Sequence, residues 1–195
     1  DYEIINANGS NTSFSISTID DSISDINETI NISLTPSGGD RTFCKTTLST
    51  QTVTIVDNEA APTITLAASA SSIAENSGSS ITLTATSSII SGSDITVSFD
   101  TSGTATEGTD YGTISDITIT AGNTTGTATF DPTDDSISDV AETAIVAISS
   151  VSGADATESG SQSVTITIND NEATPTVTLT VSATSIAENA GSSLT

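Results

Sequence analysis

The sequence predicts an all-β chain made of two antiparallel sheets packed face to face and repeated in tandem. Three observations predict this class. Ser, Thr, Ile, Val, Ala and Gly form the bulk of the chain, and β-branched residues pack well on a pleated surface. Short segments place an apolar side chain at every second position, which is the period of a strand with one buried face. Long stretches also recur about 113 residues apart.

The repeat fixes the domain boundaries. The run APTITLAASASSIAENSGSSIT begins at Ala61, and TPTVTLTVSATSIAENAGSSLT begins at Thr174, 113 residues later. We therefore predict three parts: the later part of one repeat (1–61), a complete repeat (62–174) and the start of a third repeat (175–195). A repeat of this size is ordinary for an independent β-sandwich.

Within the complete repeat, the alternation predicts seven strands. Turn-forming Gly, Asn and Ser separate the segments, and no stretch of ten or more residues has a helical period. Seven short strands with one apolar face each favour two packed antiparallel sheets. The alternating apolar residues are Ile64 and Leu66; Ile81, Leu83 and Ala85; Ile95, Val97 and Phe99; Ile117 and Ile119; Ala128 and Phe130; Val146 and Ile148; and Val164, Ile166 and Ile168.

Charge and composition exclude several functions. The chain has 2 Lys+Arg against 25 Asp+Glu, a formal net charge of -23, so it repels nucleic acids and anionic lipids. We expect no nucleic-acid partner and no membrane insertion in this segment, since no run reaches the ~20 apolar residues of a membrane helix. The single Cys44 cannot form an intramolecular disulfide.

Catalysis is not predicted. The chain contains no His and therefore no Ser–His or Cys–His pair, and it has no phosphate-binding glycine loop. Paired carboxylates could hydrolyse glycosides, but aromatic residues are only 3% of the chain. A sugar site would have few rings on which to stack.

A dense set of carboxylates predicts a metal site. The acidic decapeptide DDSISDINET at residues 20–29 returns as DDSISDVAET at 134–143, and a generic acidic surface has no reason to reproduce its spacing. Further acids lie at other strand ends, which meet at the poles of a sandwich. Calcium takes six to eight oxygen ligands, whereas zinc and copper favour His and Cys, and magnesium rarely occupies an all-protein cage. Simple surface solvation is the alternative for these acids, and it suits Glu107, Asp116, Asp155 and Glu158 better.

Four motifs in order identify a family resemblance. SIAEN (72–76), GTATEGTDYG (103–112), DDSISDVAET (134–143) and TITINDNE (165–172) resemble the Calx-beta repeat, known from the regulatory region of sodium–calcium exchangers and from large bacterial surface proteins. The resemblance implies an immunoglobulin-like sandwich that binds Ca²⁺ at one pole. In the complete repeat the implied ligands are Glu75, Asp110, Asp134, Asp135, the carbonyl of Ile137, Asp139, Glu142 and Asp170, with Glu172 beside them.

The other two parts carry incomplete motif sets. Asn171 stands where well-liganded family members carry another Asp, which removes charge from the implied site. The first part lacks a SIAEN motif, and the third contributes Glu188 alone. The implied ligands of the first part are Asp1, Asp20, Asp21, Ile23, Asp25, Glu28 and Asp57.

We expect a calcium-binding stalk segment of a large extracellular or cell-surface repeat protein, such as an adhesin or filament. Calcium would stiffen the loops and the joints, where Pro62 and Pro175 restrict the chain. The expected partners are neighbouring repeats of the same polypeptide. The alternative is a calcium sensor that changes inter-domain geometry, as in sodium–calcium exchangers.

Two further alternatives concern the ends and the tyrosines. Residues 176–181 could add to residues 12–34 of another copy and build a filament; the simpler expectation is a piece of a longer polypeptide. Tyr111 and Tyr2 follow the same turn and are expected to pack at the sandwich edge.

Overall fold

The computed structural model describes residues 2–4, 15–32, 50–188, 191 and 193. These residues form thirteen strands and a 3-10 turn, Glu75–Ser77, and none of the described helical structure is long and apolar enough to cross a membrane. The strands are β1 Tyr2–Ile4, β2 Ile16–Thr18, β3 Glu28–Ile32, β4 Gln51–Ile55, β5 Thr63–Ala68, β6 Ser72–Ala74, β7 Ile81–Ser87, β8 Ile95–Gly103, β9 Ile117–Ile119, β10 Thr125–Phe130, β11 Glu142–Ser152, β12 Thr157–Glu158 and β13 Ser163–Asn169.

Two sheets form the middle repeat. One has the strand order β10-β7-β5-β12, and the other has the order β6-β13-β11-β8-β9. Apolar side chains of both sheets share one core, in which Ile64 and Leu83 of the first sheet and Val97 and Ile166 of the second are fully buried. The predicted all-β, immunoglobulin-like sandwich is confirmed.

Each of the seven predicted segments lies in a strand: β5, β7, β8, β9, β10, β11 and β13. The predicted count is nevertheless wrong, because residues 62–174, all of them described, contain nine strands. The additional strands β6 and β12 have three and two residues, too few to show an alternating period. Both pair in parallel, β6 with β13 and β12 with β5.

Tyr111 anchors a turn to this core. Its side chain is 1% exposed, and its ring stacks on Phe130 with the centroids 4.7 Å apart. It therefore packs, as predicted, and lies deeper than a sandwich edge. The Tyr2 side chain and Cys44 lie outside the described part of the structure.

The described residues of the two flanking parts form fewer strands than the middle repeat does. In the first part, β1 pairs with β2 and β3 pairs with β4. The third part is predicted to be the start of a repeat, but its described residues 175–188 contain no strand. Val177 and Leu179 are 97% and 94% exposed there; a strand forms only where a neighbouring edge accepts its hydrogen bonds.

Candidate metal centre

The parallel pair β6–β13 brings two distant acidic motifs together. Its register places Ala74 opposite Asn169, so Glu75 follows at the same end of the sheet as Asp170. The chain then enters the 3-10 turn, which Gly78 ends with φ 62, a left-handed conformation that favours glycine. The Asn171 N–H donates to Glu75 Oε1 at 3.3 Å.

Three carboxylates converge at this point. One oxygen each of Glu75, Asp134 and Glu172 lies within 4.8 Å of the other two. Two oxygens that share one calcium ion at the usual 2.3–2.6 Å are at most about 5 Å apart. The spacing of this group, which we call the Glu75 cluster, therefore fits a single cation.

The Glu75 cluster is electrostatically strained without a cation. Burial, a hydrogen bond with Glu172 and the charges of Glu172 and Asp170 raise the pKa of Glu75 from 4.5 to about 7, against a lowering contribution from the Asn171 N–H. The buried oxygens Asp170 Oδ1 and Glu172 Oε2 have no hydrogen-bond partner. Buried oxygens in this state are costly, and a hard cation is the group that would satisfy them.

Asn171 contributes to this arrangement in place of a carboxylate. Its side-chain Nδ2 donates to Glu172 Oε1 at 2.9 Å, while its backbone N–H serves Glu75. The residue thus orients two carboxylates and adds no repulsion.

A second acidic group lies nearby. Burial, the charge of Asp110, a hydrogen bond with Asp110 and the charge of Asp139 raise the pKa of Glu142. Asp110 is held in its turn, since its Oδ2 accepts from the Thr106 N–H at 2.7 Å and its carbonyl accepts from the Thr133 N–H at 2.9 Å. The turn begins at Gly103, where φ is 119 and an added Cβ would lie 2.1 Å from the Thr143 carbonyl oxygen.

One predicted ligand, Asp135, is not a member of the Glu75 cluster. Asp135 Oδ1 accepts from the Ile137 N–H at 2.6 Å, so this carboxylate shapes the decapeptide turn. The Ile137 carbonyl stays a predicted ligand, and the side chain of this residue is 63% exposed. Conversely, Asp131 lines the same surface depression as Glu75 and Asp134 although it was not predicted. No repeat signal could have found it, because its counterpart in the first part is not acidic.

In the first part, the acids line a different depression with apolar neighbours. They are Asp20, Asp21, Asp25, Glu28 and Asp57. The Ile23 N–H donates to Asp21 Oδ1 at 2.8 Å, the same turn as at Asp135. Asp1, the remaining predicted ligand, lies outside the described residues.

The sequence prediction missed Glu59. This residue lies in the same depression, and burial followed by a hydrogen bond with Asp57 and the charges of Asp57 and Asp20 raises its pKa. The sequence did indicate this residue, because Glu59 precedes Glu172, a predicted ligand, by one repeat of 113 residues. Among the described residues, however, the first part has no counterpart of the Glu75 cluster.

Comparisons with solved structures return remote likenesses. The chain is similar to the apo form of the Calx CBD1 domain, with 18% identity, a TM-score of 0.47, and coverage of 56% of this chain and 98% of that one. It is also similar to CBD12 from CALX1.2, with 19% identity, a TM-score of 0.46, and coverage of 55% of this chain and 44% of that one. A comparison with curated proteins finds no match.

The fold and the loop acids define an immunoglobulin-like β-sandwich module with an acidic pole. The family model described as "Calx-beta domain" matches residues 6–59 and 57–172, so the chain belongs to the Calx-beta family. Domains of this family are regulatory calcium-binding modules of the sodium–calcium exchanger type.

Proposed function

We propose that this chain is a calcium-binding structural segment of a large extracellular or cell-surface repeat protein, an adhesin or filament stalk. The observation that carries the proposal is the pair of buried, unpartnered oxygens, Asp170 Oδ1 and Glu172 Oε2, beside three carboxylates spaced for one cation. Membership of a calcium-binding family supports the choice of ion.

The residues that would hold calcium are those of the Glu75 cluster together with Asp170, and the ion would supply the positive charge that this chain lacks. Glu75 belongs to the turn after β6, Asp134 to the decapeptide loop and Glu172 to the segment after β13. A group bound by all three would tie together loops that otherwise repel one another. Glu142, Asp110 and Asp139 form a second set of oxygens from two further loops.

A contact between the acids of one repeat and the next repeat supports a structural role. In the first part, Asp25, Asp57 and Glu59 line a depression together with Ala154 and Asp155 of the middle repeat. The acidic pole of one repeat therefore faces the next repeat. Glu172 of the Glu75 cluster corresponds to Glu59 at the 113-residue offset. A cation held by the Glu75 cluster would therefore remove repulsion at the equivalent pole of the middle repeat, which is what a projecting rod requires.

The direct test is calorimetric titration of the full chain with Ca²⁺. A stalk site is expected to bind with a Kd of about 10⁻⁴ to 10⁻³ M, as extracellular calcium modules do. Asp134→Asn removes one carboxylate of the Glu75 cluster and should weaken binding about tenfold or more. Asp116→Asn makes the same charge change at a carboxylate that accepts a hydrogen bond from the Ser98 hydroxyl and, among the described residues, from no other group. This variant should leave the titration unchanged. Equal effects of the two variants would contradict the proposal.

The same titration decides the alternative, a calcium sensor. The contact between the acidic pole of the first part and the middle repeat favours it, because an ion at the equivalent pole of the middle repeat could alter the angle between that repeat and the one after it. A sensor is expected to bind with a Kd of about 10⁻⁷ to 10⁻⁵ M. Binding in that range, together with a change of the radius of gyration on calcium addition, would favour the sensor function over the stalk function.

A further inference from the structure

The first decapeptide contacts the middle repeat through its backbone. The Ser24 N–H donates to the Ile90 carbonyl at 2.9 Å, and the Gly92 N–H donates to the Ser24 carbonyl at 3.1 Å. Ser24 and Ser91 form an isolated parallel β-bridge, and they are 5% and 2% exposed. Two hydrogen bonds shielded from water thus join residues that lie in different repeats.

The loop that binds Ser24, residues 88–93, is held in place by hydrogen bonds within the middle repeat. The Ser91 carbonyl accepts from the Gly122 N–H at 2.9 Å, and the Ser91 hydroxyl accepts from the Ser93 N–H at 3.0 Å. The Ser88 N–H donates to the Thr63 carbonyl at 3.0 Å. These bonds lie entirely within the middle repeat and leave the Ile90 carbonyl and the Gly92 N–H for a partner outside it. Backbone groups at a covered position require such partners.

Gly92 is the residue that admits the neighbouring repeat. A Cβ added there would lie 1.7 Å from Asp25 Oδ1, and the three nearest atoms all belong to Asp25. The φ of Gly92 is not in the left-handed region, so the loop itself does not require glycine. The missing side chain makes room for the preceding repeat.

The second decapeptide presents the same edge without a partner. Its turn matches the first, because the Ile137 N–H bonds Asp135 and the Ile23 N–H bonds Asp21. Ser138 occupies the place of Ser24 and is half-buried. Within the described part of the chain, the Ser138 N–H donates no hydrogen bond and its carbonyl accepts none.

We propose that repeats of this chain dock through a defined backbone interface. On one repeat, the backbone of the serine in the acidic decapeptide forms the edge of this interface. On the other repeat, a loop with the pattern Ile90–Ser91–Gly92 binds that edge through its backbone. Ser138 is a second such edge, and the partner that fits it is another repeat whose loop carries an outward carbonyl followed two residues later by a glycine N–H. Backbone bridges of this kind add strand-like pairing between modules.

Amide hydrogen exchange measured by NMR on the full chain in chelator tests this interface independently of calcium. Ser24 and Ser138 lie in nearly identical local sequence and in the same turn, so Ser138 is an internal control. We expect the Ser24 amide to exchange about tenfold or more slowly than the Ser138 amide. Equal protection of the two amides would overturn the proposal.

A double-mutant cycle identifies the atoms responsible. Gly92→Ala should raise the Ser24 exchange rate to that of Ser138 while leaving the strand amides of β7 unchanged. In the Asp25→Ala background, which removes the carboxylate facing Gly92, the same change should have little effect. If Gly92→Ala leaves Ser24 protected, or acts equally in both backgrounds, the interface is not the one proposed.

Discussion

The two acidic decapeptides differ at only two of ten positions, yet their surroundings differ. The middle copy contributes Asp134 to a group of three carboxylates, and the third oxygen comes from Glu75 in the turn after β6. The first copy lies in a part of the chain without a SIAEN motif. There, a hydrogen bond with Asp57 and the charges of Asp57 and Asp20 help burial to raise the pKa of Glu59. The decapeptide fixes the spacing of its own acids, but the parallel pair β6–β13 is what brings Glu75 and Glu172 to the same place.

The two differing positions also matter. In the first part, Asn27 Oδ1 accepts from the Asp57 N–H at 3.1 Å and ties the decapeptide to the acidic segment after β4. The middle copy has Ala141 at that position and cannot form this bond. In the middle repeat the corresponding segments approach one another through carboxylates, which requires a counter-charge.

The largest expected difference in stability between the first part and the middle repeat should come from the closed core of the middle repeat. Tyr111→Ala removes a ring that is 1% exposed and stacked on Phe130. We expect the free energy of unfolding to fall by about 3–5 kcal/mol, measured by urea denaturation. Tyr111→Phe keeps the stack and should cost far less. A small effect of Tyr111→Ala would show that the turn carrying Asp110 does not depend on the core.

A second effect should come from calcium and be confined to the middle repeat. At a concentration about 100-fold above Kd, calcium should raise its unfolding free energy by about 2.7 kcal/mol, seen as a higher thermal midpoint and slower proteolysis. Glu75→Gln should remove most of this gain, whereas Glu59→Gln, the corresponding change in the first part, should preserve it. If both variants respond to calcium like the unmodified chain, the Glu75 cluster is not the site.

The sequence predicted the fold well because the core has a period. Ile64, Leu83, Ile95 and Ile166 were assigned to the buried face by alternation alone, and all are buried. The strands β6 and β12 were not predicted because segments of three or two residues show no period, and a parallel partner strand 95 or 94 positions away leaves no local signal. The site was predictable in residue type, since acids recur at fixed spacing. Its geometry was not, because the missed β6–β13 pair is what brings Glu75 to Glu172.

The different roles of neighbouring acids also could not be predicted from the sequence. Asp134 and Asp135 are adjacent and chemically identical, yet one joins the Glu75 cluster and the other forms a turn with the Ile137 N–H. Only the direction of each side chain separates them, and that depends on the backbone of the loop. Glu59, by contrast, could have been found by applying the 113-residue offset to Glu172.

The smallest of the expected effects concerns pH and belongs to Glu75. Its pKa is about 7 in the folded chain against an ordinary value of 4.5, so the folded state holds this proton more tightly than the unfolded state does. The resulting stability is fully present below about pH 4.5 and is lost as the pH rises through about 7. In calcium-free buffer we expect a loss of about 1–2 kcal/mol over this range, less than full linkage would give because water screens a half-buried group.

Urea denaturation across this pH range, with Glu75→Gln as the control, isolates the contribution. The variant has no proton to lose at this position, so its stability should fall less steeply, and the difference between the two curves belongs to Glu75. Saturating calcium should reverse the slope, because the ion binds the deprotonated carboxylates and competes with the proton. Glu59 has a raised pKa as well. It is not a member of the Glu75 cluster, which is the carboxylate group spaced for one cation in the described part of the chain, so Glu59→Gln should leave the calcium-dependent reversal intact. Parallel curves for the unmodified chain and Glu75→Gln would mean that the strain at the middle pole is shared among the other acids and not concentrated at Glu75.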